Sequence, residues 1–281
     1  MKIIECPRDA MQGLHQFIPT ATKTAYINQL LKVGFDTIDF GSFVSPKAIP
    51  QLRDTAEVLA GLDLSNTKSK LLAIIANLRG ANDAVSFEEI KYLGFPLSIS
   101  ETFQQRNTNK SIDQALEQLQ EIQNLCKKHD KTLVTYISMG FGNPYGEPFN
   151  EEIVAEFAQK LVDMEVEIIS LADTIGVAEP EMIHRIFEST IATFPNTEIG
   201  AHFHSTPQKT EEKLAAAHQA GCQRFDVALK GYGGCPMAKD ELTGNVATER
   251  LLSYFETVDV DAKLDKSAFD EAMLMAGGVF S

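Results

Sequence analysis

Cysteine is scarce in this sequence, and the cysteines that occur are scattered without a Cys-x-x-Cys pair; they are Cys6, Cys126, Cys222 and Cys235. This spacing disfavours a disulfide framework and a structural zinc site, and it favours free thiols in a reducing compartment. Long apolar runs are also missing, since none approaches the roughly 20 residues that span a bilayer. The first stretch, MKIIECPRDA, lacks the pattern of a signal peptide. We therefore expect a cytoplasmic protein without a membrane span.

Basic residues are too few to balance the acidic ones. The chain carries 25 Lys and Arg against 39 Asp and Glu, which gives a net charge of −14. Nucleic-acid binders normally present a basic face, and anionic membrane surfaces attract basic segments. We therefore expect neither nucleic acid nor a membrane as a partner. An anionic ligand would have to be held by locally placed Arg, Lys or metal.

Short β-rich runs recur along the 281 residues, and most of them are followed by a helical pattern. Their spacing of roughly 25 to 35 residues fits eight βα units and predicts a TIM (β/α)8 barrel. No linker divides the chain, so residues 1–281 are predicted to form a single domain. Residues after about 246 would supply the eighth helix and a short C-terminal helical extension. The runs are KIIE, DTIDF, LLAIIA, LSIS, TLVTYI, EIISL, TEIGAHF and RFDVAL, and they begin near residues 2, 36, 71, 97, 132, 167, 197 and 224.

The competing α/β architecture is a doubly wound open sheet that binds a nucleotide. It predicts a glycine-rich turn, GxGxxG or GxxxxGK[ST], directly after the first strand. The first strand is followed instead by CPRDAMQG, which matches neither motif. The barrel is therefore favoured, and in a barrel the functional residues lie at the C-terminal ends of the strands.

Two histidines mark one of these strand ends. His202 and His204 stand two positions apart in IGAHFHSTP, so in a strand their side chains point to the same face. A single histidine in a strand is most often a core or surface residue, but two on one face suit a divalent metal. Asp9 is the nearest carboxylate, because the first strand of a barrel lies beside the eighth. Two imidazoles with carboxylate and amide oxygens favour Mg²⁺ or Mn²⁺, with Zn²⁺ or Fe²⁺ as alternatives.

A glycine-rich stretch, GYGGCP at 231–236, follows the eighth strand. It can be an ordinary βα loop with a buried cysteine. It can also be a mobile loop that brings the Cys235 thiol over the site, where the thiol could shuttle a proton. The spacing alone leaves both interpretations open.

Taken together, the motifs resemble the hydroxymethylglutaryl-CoA lyases. These belong to the Asp-Arg-Glu metal-dependent TIM-barrel group, which also includes isopropylmalate and homocitrate synthases and pyruvate carboxylase. The resemblance runs from about residue 2 to residue 255. It implies cleavage of 3-hydroxy-3-methylglutaryl-CoA to acetyl-CoA and acetoacetate. The segments that carry it are PRDAMQ, SFVSPKAIPQ, ANLRG, SETFQQRN, YISMGFGNPYGE, LADTIGV, HFHST and GYGGCPMAKDELTGNVATE.

The same resemblance implies a role for each candidate residue. One divalent cation, Mg²⁺ or Mn²⁺, would be bound by Asp9, His202, His204 and Asn245. Arg8 would stabilise the enolate oxygen, Cys235 would take part in proton transfer, and Asp173 would help to handle the proton of the substrate hydroxyl. Asp39 would be the catalytic carboxylate at the end of the second strand. The acyl-CoA pocket would be lined by Gln12, Arg106 and Asn107. The family forms dimers, so a homodimer or a higher homo-oligomer is expected.

The sequence also departs from the lyase pattern. Asp39 stands where the lyases carry Glu, Ser205 stands where they carry an acidic residue, and Ala10 replaces a Gly. A relative that acts on a different 3-hydroxyacyl thioester, or on a hydroxy acid without CoA, therefore stays an alternative. A Claisen-type synthase is disfavoured by the Gly-Gly-Cys-Pro loop. A non-catalytic barrel would be expected to have lost Arg8, Cys235 or a metal ligand.

Overall fold

The computed structural model describes residues 1–235 and 243–280. Within these residues, eight parallel strands pair in chain order, and the pairing of the first strand with the eighth closes the sheet into a barrel. The TIM-barrel prediction is therefore confirmed. The strands are β1 (Lys2–Glu5), β2 (Thr37–Ser42), β3 (Lys70–Ile74), β4 (Ile90–Ser98), β5 (Thr132–Ser138), β6 (Ile168–Asp173), β7 (Glu198–Ser205) and β8 (Arg224–Val227).

Helices connect successive strands and form the outer layer. They are α1 (Pro7–Gln12), α2 (Thr20–Val33), α3 (Thr55–Ala60), α4 (Leu78–Ala84), α5 (Glu101–Thr108), α6 (Ile112–Lys128), α7 (Glu151–Asp163), α8 (Pro180–Thr193), α9 (Thr210–Gln219), α10 (Thr248–Thr257) and α11 (Lys266–Val279). A short strand, β9 (Gly244–Asn245), lies antiparallel to the end of β7. The helix α11 after the barrel is the expected C-terminal extension. Among the described residues, no helix has both the length and the apolar character needed to cross a bilayer.

Strand β4 is longer than the sequence pattern indicated. The run LSIS near residue 97 covers only its end, whereas the strand runs over Ile90–Ser98. Gly94 and Pro96 obscured the pattern, because both residues are usually depleted in strands. A Cβ atom at Gly94 would lie 2.5 Å from the Ile74 Cδ1 atom. A larger residue at this strand position would therefore have to displace the Ile74 side chain.

Alternation along the strands divides the barrel interior into an apolar part and a polar part. A buried cluster within the barrel consists of Leu72, Ile74, Tyr92, Val134, Tyr136 and Ile168. On the neighbouring strands β7 and β8, His202 is level with Asp226 and Gly200 is level with Arg224. Side chains level with one another on adjacent strands point to the same side. The interior beside β7 and β8 is therefore lined by charged and titratable groups.

Glu5, at the end of β1, is a buried carboxyl group that points toward the helices. One of its oxygens accepts a hydrogen bond from the Leu229 N–H (2.8 Å), and the other accepts one from the Thr248 hydroxyl (2.6 Å). Burial raises the pKa of Glu5 to about 8. Leu229 and Thr248 stand on either side of the glycine-rich stretch and β9, so Glu5 holds both ends of this segment against the barrel.

We predict that Glu5 makes stability fall as the pH rises. Between its ordinary pKa of 4.5 and its folded value of about 8, the folded chain keeps a proton that the unfolded chain releases. Each pH unit in this window costs up to about 1.4 kcal/mol of unfolding free energy. Glu5→Gln preserves a neutral hydrogen-bonding group and removes this dependence, so the variant gains stability relative to the parent with rising pH.

Denaturant unfolding at several pH values between 5 and 8.5 measures this effect. The control is Glu117→Gln, which replaces an exposed glutamate on α6 and should leave the slope unchanged. A difference between Glu5→Gln and the parent that stays constant over the pH range would contradict the prediction.

Candidate active site

Arg8 and Asp9 stand on α1, which begins directly after β1 at the C-terminal end of the barrel. Pro7 occupies a first-turn position of this helix, where its fixed φ fits and its missing N–H is not needed. The early turn keeps both side chains at the barrel opening, and Arg8 is only 6% exposed. Local sequence therefore places a cation and a carboxylate side by side at the predicted functional end.

The Arg8 guanidinium is the centre of a buried hydrogen-bond network. Its Nε and Nη2 atoms donate to the Asp39 carboxylate, at 3.0 Å and 2.5 Å from Oδ2. Its Nη1 atom donates to Asp9 Oδ1 at 2.8 Å and to Gln12 Oε1 at 2.9 Å. Gln12 Nε2 in turn donates to Asp9 Oδ1. These bonds use four of the five N–H groups of Arg8 and fix the side chain from two sides.

The two histidines face the barrel interior together, as the spacing predicted, and their ring centroids are 5.4 Å apart. His202 Nδ1 lies 3.2 Å from Asp226 Oδ2, and His204 Nδ1 lies 2.7 Å from the Thr174 carbonyl oxygen. Both partners are acceptors, so each Nδ1 carries a hydrogen, and in the neutral form of each ring Nε2 keeps its lone pair. The Nε2 atom of each ring is thereby prepared to bind a metal.

Asn245 reaches the histidines through β9, where it is level with His204. Its Nδ2 atom donates to Asp9 Oδ2 (2.7 Å) and to the Tyr232 carbonyl (2.8 Å), which leaves Oδ1 as the acceptor. The glycine-rich turn packs against this group. A Cβ at Gly233, whose φ is +86°, would lie 2.8 Å from Asn245 Nδ2 and 2.8 Å from the Asp9 carbonyl oxygen. In the described part of the turn, glycine is therefore required for close packing.

Opposite charges control protonation in this network. Although burial opposes its charge, the Arg8 guanidinium lowers the pKa of Asp9 far below its usual range. Burial likewise opposes the charge of Arg8, but Asp39 and Asp9 raise the pKa of its guanidinium. Burial opposes the charge of His202 as well, while Asp226 raises the pKa of its imidazole. Asp9 therefore stays ionised, which is the form a metal ligand requires.

The residues at the opening fit a divalent cation. Asp9, His202 and His204 each place a ligand atom within 4.8 Å of the others. His204 Nε2 is buried and has no hydrogen-bond partner among the described residues. Cys6, His202 and Asp226 satisfy the same distance criterion. Burial raises the pKa of the Cys6 thiol well above its ordinary value, however, and this disfavours the thiolate that would bind a metal.

Asp173 is not brought to this site, contrary to its expected role with the substrate hydroxyl. It is level with Phe203, which belongs to the core between the barrel and the helices. Its carboxylate accepts from Lys213 Nζ (2.6 Å) and from the backbone N–H groups of Val177 and Ala178. The side chain therefore points away from the barrel interior. The proton of a substrate hydroxyl would have to pass to another group.

The other predicted residues are placed as follows. Cys235 is half-buried at the end of the first described range, while Pro236 of the same motif lies outside the described residues. Arg106 and Asn107 are exposed on α5, and the Arg106 guanidinium lies 5.0 Å from the centroid of the Tyr145 ring. Their roles, like those of Gln12 and Cys235, stay predictions. Two hydrogen bonds join Gln12 to the Arg8 network.

The structure also clarifies two departures from the lyase pattern. The shorter carboxylate of Asp39 still makes a two-pronged contact with Arg8. Ser205 has the same strand parity as Phe203, and its hydroxyl donates to the Thr206 carbonyl oxygen at 2.9 Å. The missing acidic group at this position would therefore have pointed away from His202 and His204. Neither departure disrupts the group at the barrel opening.

The residues that hold the histidines from behind were not predicted from the sequence. Asp226 supports His202, Thr174 supports His204, and Lys213 contacts Asp173. A charged residue inside the apolar run RFDVAL was a usable signal for Asp226. The backbone carbonyl of Thr174 carries no such signal, because any residue could supply it.

Comparisons with known proteins agree with this arrangement. A family model described as HMGL-like matches residues 2–275. A hydroxymethylglutaryl-CoA lyase of Bacillus subtilis is 35% identical, and the match covers 92% of this chain and 87% of the relative. A 3-hydroxy-3-isohexenylglutaryl-CoA/hydroxymethylglutaryl-CoA lyase of Pseudomonas aeruginosa is 34% identical, and the match covers 95% of this chain and 88% of the relative. A structure of an HMG-CoA lyase from Acinetobacter baumannii, in complex with coenzyme A and 3-methylmalate, superposes with a TM-score of 0.91 at 31% identity and covers 100% of this chain and 91% of that chain.

The packing of Gly233 generates a prediction about metal affinity. Gly233→Ala introduces a methyl group against Asn245 and Asp9, and its positive φ adds strain of about 1–2 kcal/mol. Gly34→Ala is a matched control, because Gly34 has a φ of +87° and no atom within 4 Å of the added Cβ. Both variants should lose stability, but only Gly233→Ala should weaken Mn²⁺ binding, by about tenfold or more. Titration calorimetry measures both affinities, and equal values for the two variants would contradict the prediction.

Proposed function

The chain belongs to the HMGL-like family, and from this premise we propose that it is a metal-dependent carbon–carbon lyase that cleaves 3-hydroxy-3-methylglutaryl-CoA to acetyl-CoA and acetoacetate. Curated relatives that match over most of their length are named hydroxymethylglutaryl-CoA lyases. The observation that carries the proposal is the buried Nε2 of His204, which has no hydrogen-bond partner among the described residues and lies beside Asp9, His202 and the buried Arg8. This group combines a cation site with a fixed guanidinium.

The proposed metal ligands are Asp9, His202, His204 and the Oδ1 atom of Asn245. Two neutral imidazoles and two oxygens suit Mg²⁺ or Mn²⁺. Such a cation, when bound, lowers the pKa of a coordinated hydroxyl and orients the substrate. The hydrogen bonds that the Nδ1–H groups donate to Asp226 and to the Thr174 carbonyl keep both imidazoles in the tautomer that ligation requires.

Arg8 supplies the positive charge that a thioester enolate needs. Its raised pKa keeps it charged, and its bonds to Asp39, Asp9 and Gln12 prevent it from rotating. The hydrogen bonds within the described residues leave one N–H of Nη2 unused. This donor is available to an enolate oxygen. A donor fixed before the reaction stabilises developing charge without reorganisation. Cys235, in the glycine-rich stretch, is the proposed acid that protonates the enolate carbon.

The acyl group of the substrate is the least constrained part of the proposal. The Pseudomonas aeruginosa relative is named for a 3-hydroxy-3-isohexenylglutaryl-CoA as well as for the methyl substrate. A different 3-hydroxyacyl thioester is therefore the alternative substrate for this chain. We further propose that Gln12, Arg106 and Asn107 contact the acyl-CoA, and that the protein is a cytoplasmic homodimer or higher homo-oligomer.

The first test is cleavage of 3-hydroxy-3-methylglutaryl-CoA by protein treated with EDTA. Activity should disappear after this treatment and return with Mg²⁺ or Mn²⁺, as measured by release of acetoacetate. His204→Ala should reduce activity to background because it removes a ligand. His129→Ala, which changes an exposed histidine at the end of α6, should retain parental activity.

The outcomes of this assay separate reaction from substrate. If the protein binds metal and does not cleave 3-hydroxy-3-methylglutaryl-CoA but turns over a longer 3-hydroxyacyl-CoA, the lyase chemistry would stand. The substrate would then carry a different acyl group. A stripped protein that neither binds Mn²⁺ nor turns over either thioester would refute the proposed function.

Arg8→Lys tests the enolate contact. A lysine has a single nitrogen and cannot reach Asp39, Asp9 and Gln12 from two sides as the guanidinium does, so it is not a conservative replacement. Loss of one preorganised donor typically lowers kcat by about 10²–10³-fold. We expect a decrease of this size at saturating Mn²⁺, measured by steady-state kinetics. A kcat close to that of the parent would show that Arg8 does not stabilise the transition state.

A further inference from the structure

We propose that Lys213 and Asp173 form a buried positioning pair that fixes the orientation and tautomer of His204 from outside the barrel. Lys213 lies on α9 and Asp173 lies at the end of β6, and their side chains are 0% and 1% exposed. Neither residue faces the barrel interior. The proposal rests on the proposed function only in taking His204 as a metal ligand.

Every hydrogen of the Lys213 ammonium has an acceptor. Nζ lies 2.6 Å from Asp173 Oδ2, 3.0 Å from the Gly176 carbonyl oxygen and 3.2 Å from the His204 carbonyl oxygen. One cation therefore joins the end of β6, the turn after it and the backbone of His204. This arrangement restrains the histidine at its own main chain.

The turn after β6 is restrained at the same time by the carboxylate. Asp173 Oδ1 accepts from the Val177 N–H at 2.9 Å, and Oδ2 accepts from the Ala178 N–H at 3.0 Å. Gly176 allows the tight return with a φ of +73°. Thr174 lies inside this turn, so the position of its carbonyl group depends on the ion pair.

That carbonyl group determines the state of the His204 ring. Nδ1 lies 2.7 Å from the Thr174 oxygen, which can only accept, so Nδ1 must carry the hydrogen. In the neutral ring Nε2 then has the lone pair, and it lies 3.9 Å from Asp9 Oδ2. A displaced carbonyl would release the ring to rotate or to exchange tautomers.

Removing Lys213 should therefore affect more than stability. A buried carboxylate that loses its partner is strongly unfavourable, and Asp173 would leave the turn to reach water. The chain contains a matched control in Lys23 and Asp54. Their Nζ–Oδ1 distance is also 2.6 Å, with side chains 2% and 9% exposed, and Lys23 also bonds to the Gln51 carbonyl. No contact in the described residues links this second pair to a histidine.

The experiment compares Lys213→Met with Lys23→Met in the full chain. Mn²⁺ affinity is measured by titration calorimetry, and the imidazole nitrogens are observed by NMR of metal-free, ¹⁵N-histidine-labelled protein. His204→Gln assigns the His204 signals. Both lysine variants should lose stability. Only Lys213→Met should weaken Mn²⁺ binding, by about 10–100-fold, and mix the two tautomers of His204. If Lys213→Met does not fold, Lys213→Met/Asp173→Asn removes both charges and is expected to show the same two changes.

The two readouts separate this proposal from the proposed function. A pure Nδ1–H tautomer and parental Mn²⁺ affinity in the folded Lys213 variant would overturn the positioning role. An equal loss of affinity in Lys23→Met would also overturn it, because the effect would then be one of stability. If the parent binds no Mn²⁺, the metal site fails, and the His204 tautomer in the metal-free variants still decides the role of the pair.

Discussion

The arrangement of the barrel opening depends on one buried cation, the guanidinium of Arg8. Removing an ion from water costs several kcal/mol, which only well-formed ion pairs and hydrogen bonds offset. Asp39 on β2 and Asp9 beside Arg8 on α1 provide this compensation. Because Asp9 is fixed in this way, its second oxygen can accept the amide of Asn245. Three distant parts of the chain, α1, β2 and β9, therefore meet around a single positive charge.

The charge balance of the interior explains how a strongly acidic protein can accept an anionic substrate. Three buried carboxylates, Asp9, Asp39 and Asp226, face two buried guanidiniums, Arg8 and Arg224. The carboxylates outnumber the guanidiniums, which favours a divalent cation. Such a cation would add two positive charges near Arg8, although the whole chain carries −14. The sign of the local field, rather than the net charge, then governs which ligand enters.

Sequence patterns predicted the residues whose position follows from strand parity and barrel closure. The spacing of His202 and His204 and the adjacency of β1 and β8 were sufficient to bring Asp9 to the histidines. The expected role of Asp173 came from a motif and not from parity, and its side chain lies on the outer face of β6, level with Phe203, because a shift of one residue reverses the face. Asn245 came only from the family resemblance, since no local pattern predicts the pairing of β9 with β7. Lys213 had no signal at all, because TEEKLAAAHQ has the composition of a solvated helix.

The site is also held from its outer side, which has a thermodynamic consequence. Buried polar atoms without a partner in the described chain include His204 Nε2, Arg224 Nε and Nη2, and Asp226 Oδ1. Each unsatisfied group of this kind costs about 1–3 kcal/mol. The hydrogen bonds behind His202 and His204 prevent the rings from turning to relieve this cost. A cation that bonds to Nε2 of His204 would satisfy an atom that has no partner among the described residues. The contacts of Thr174 and Asp226 would favour such binding, because they already hold both rings in the orientation that ligation requires.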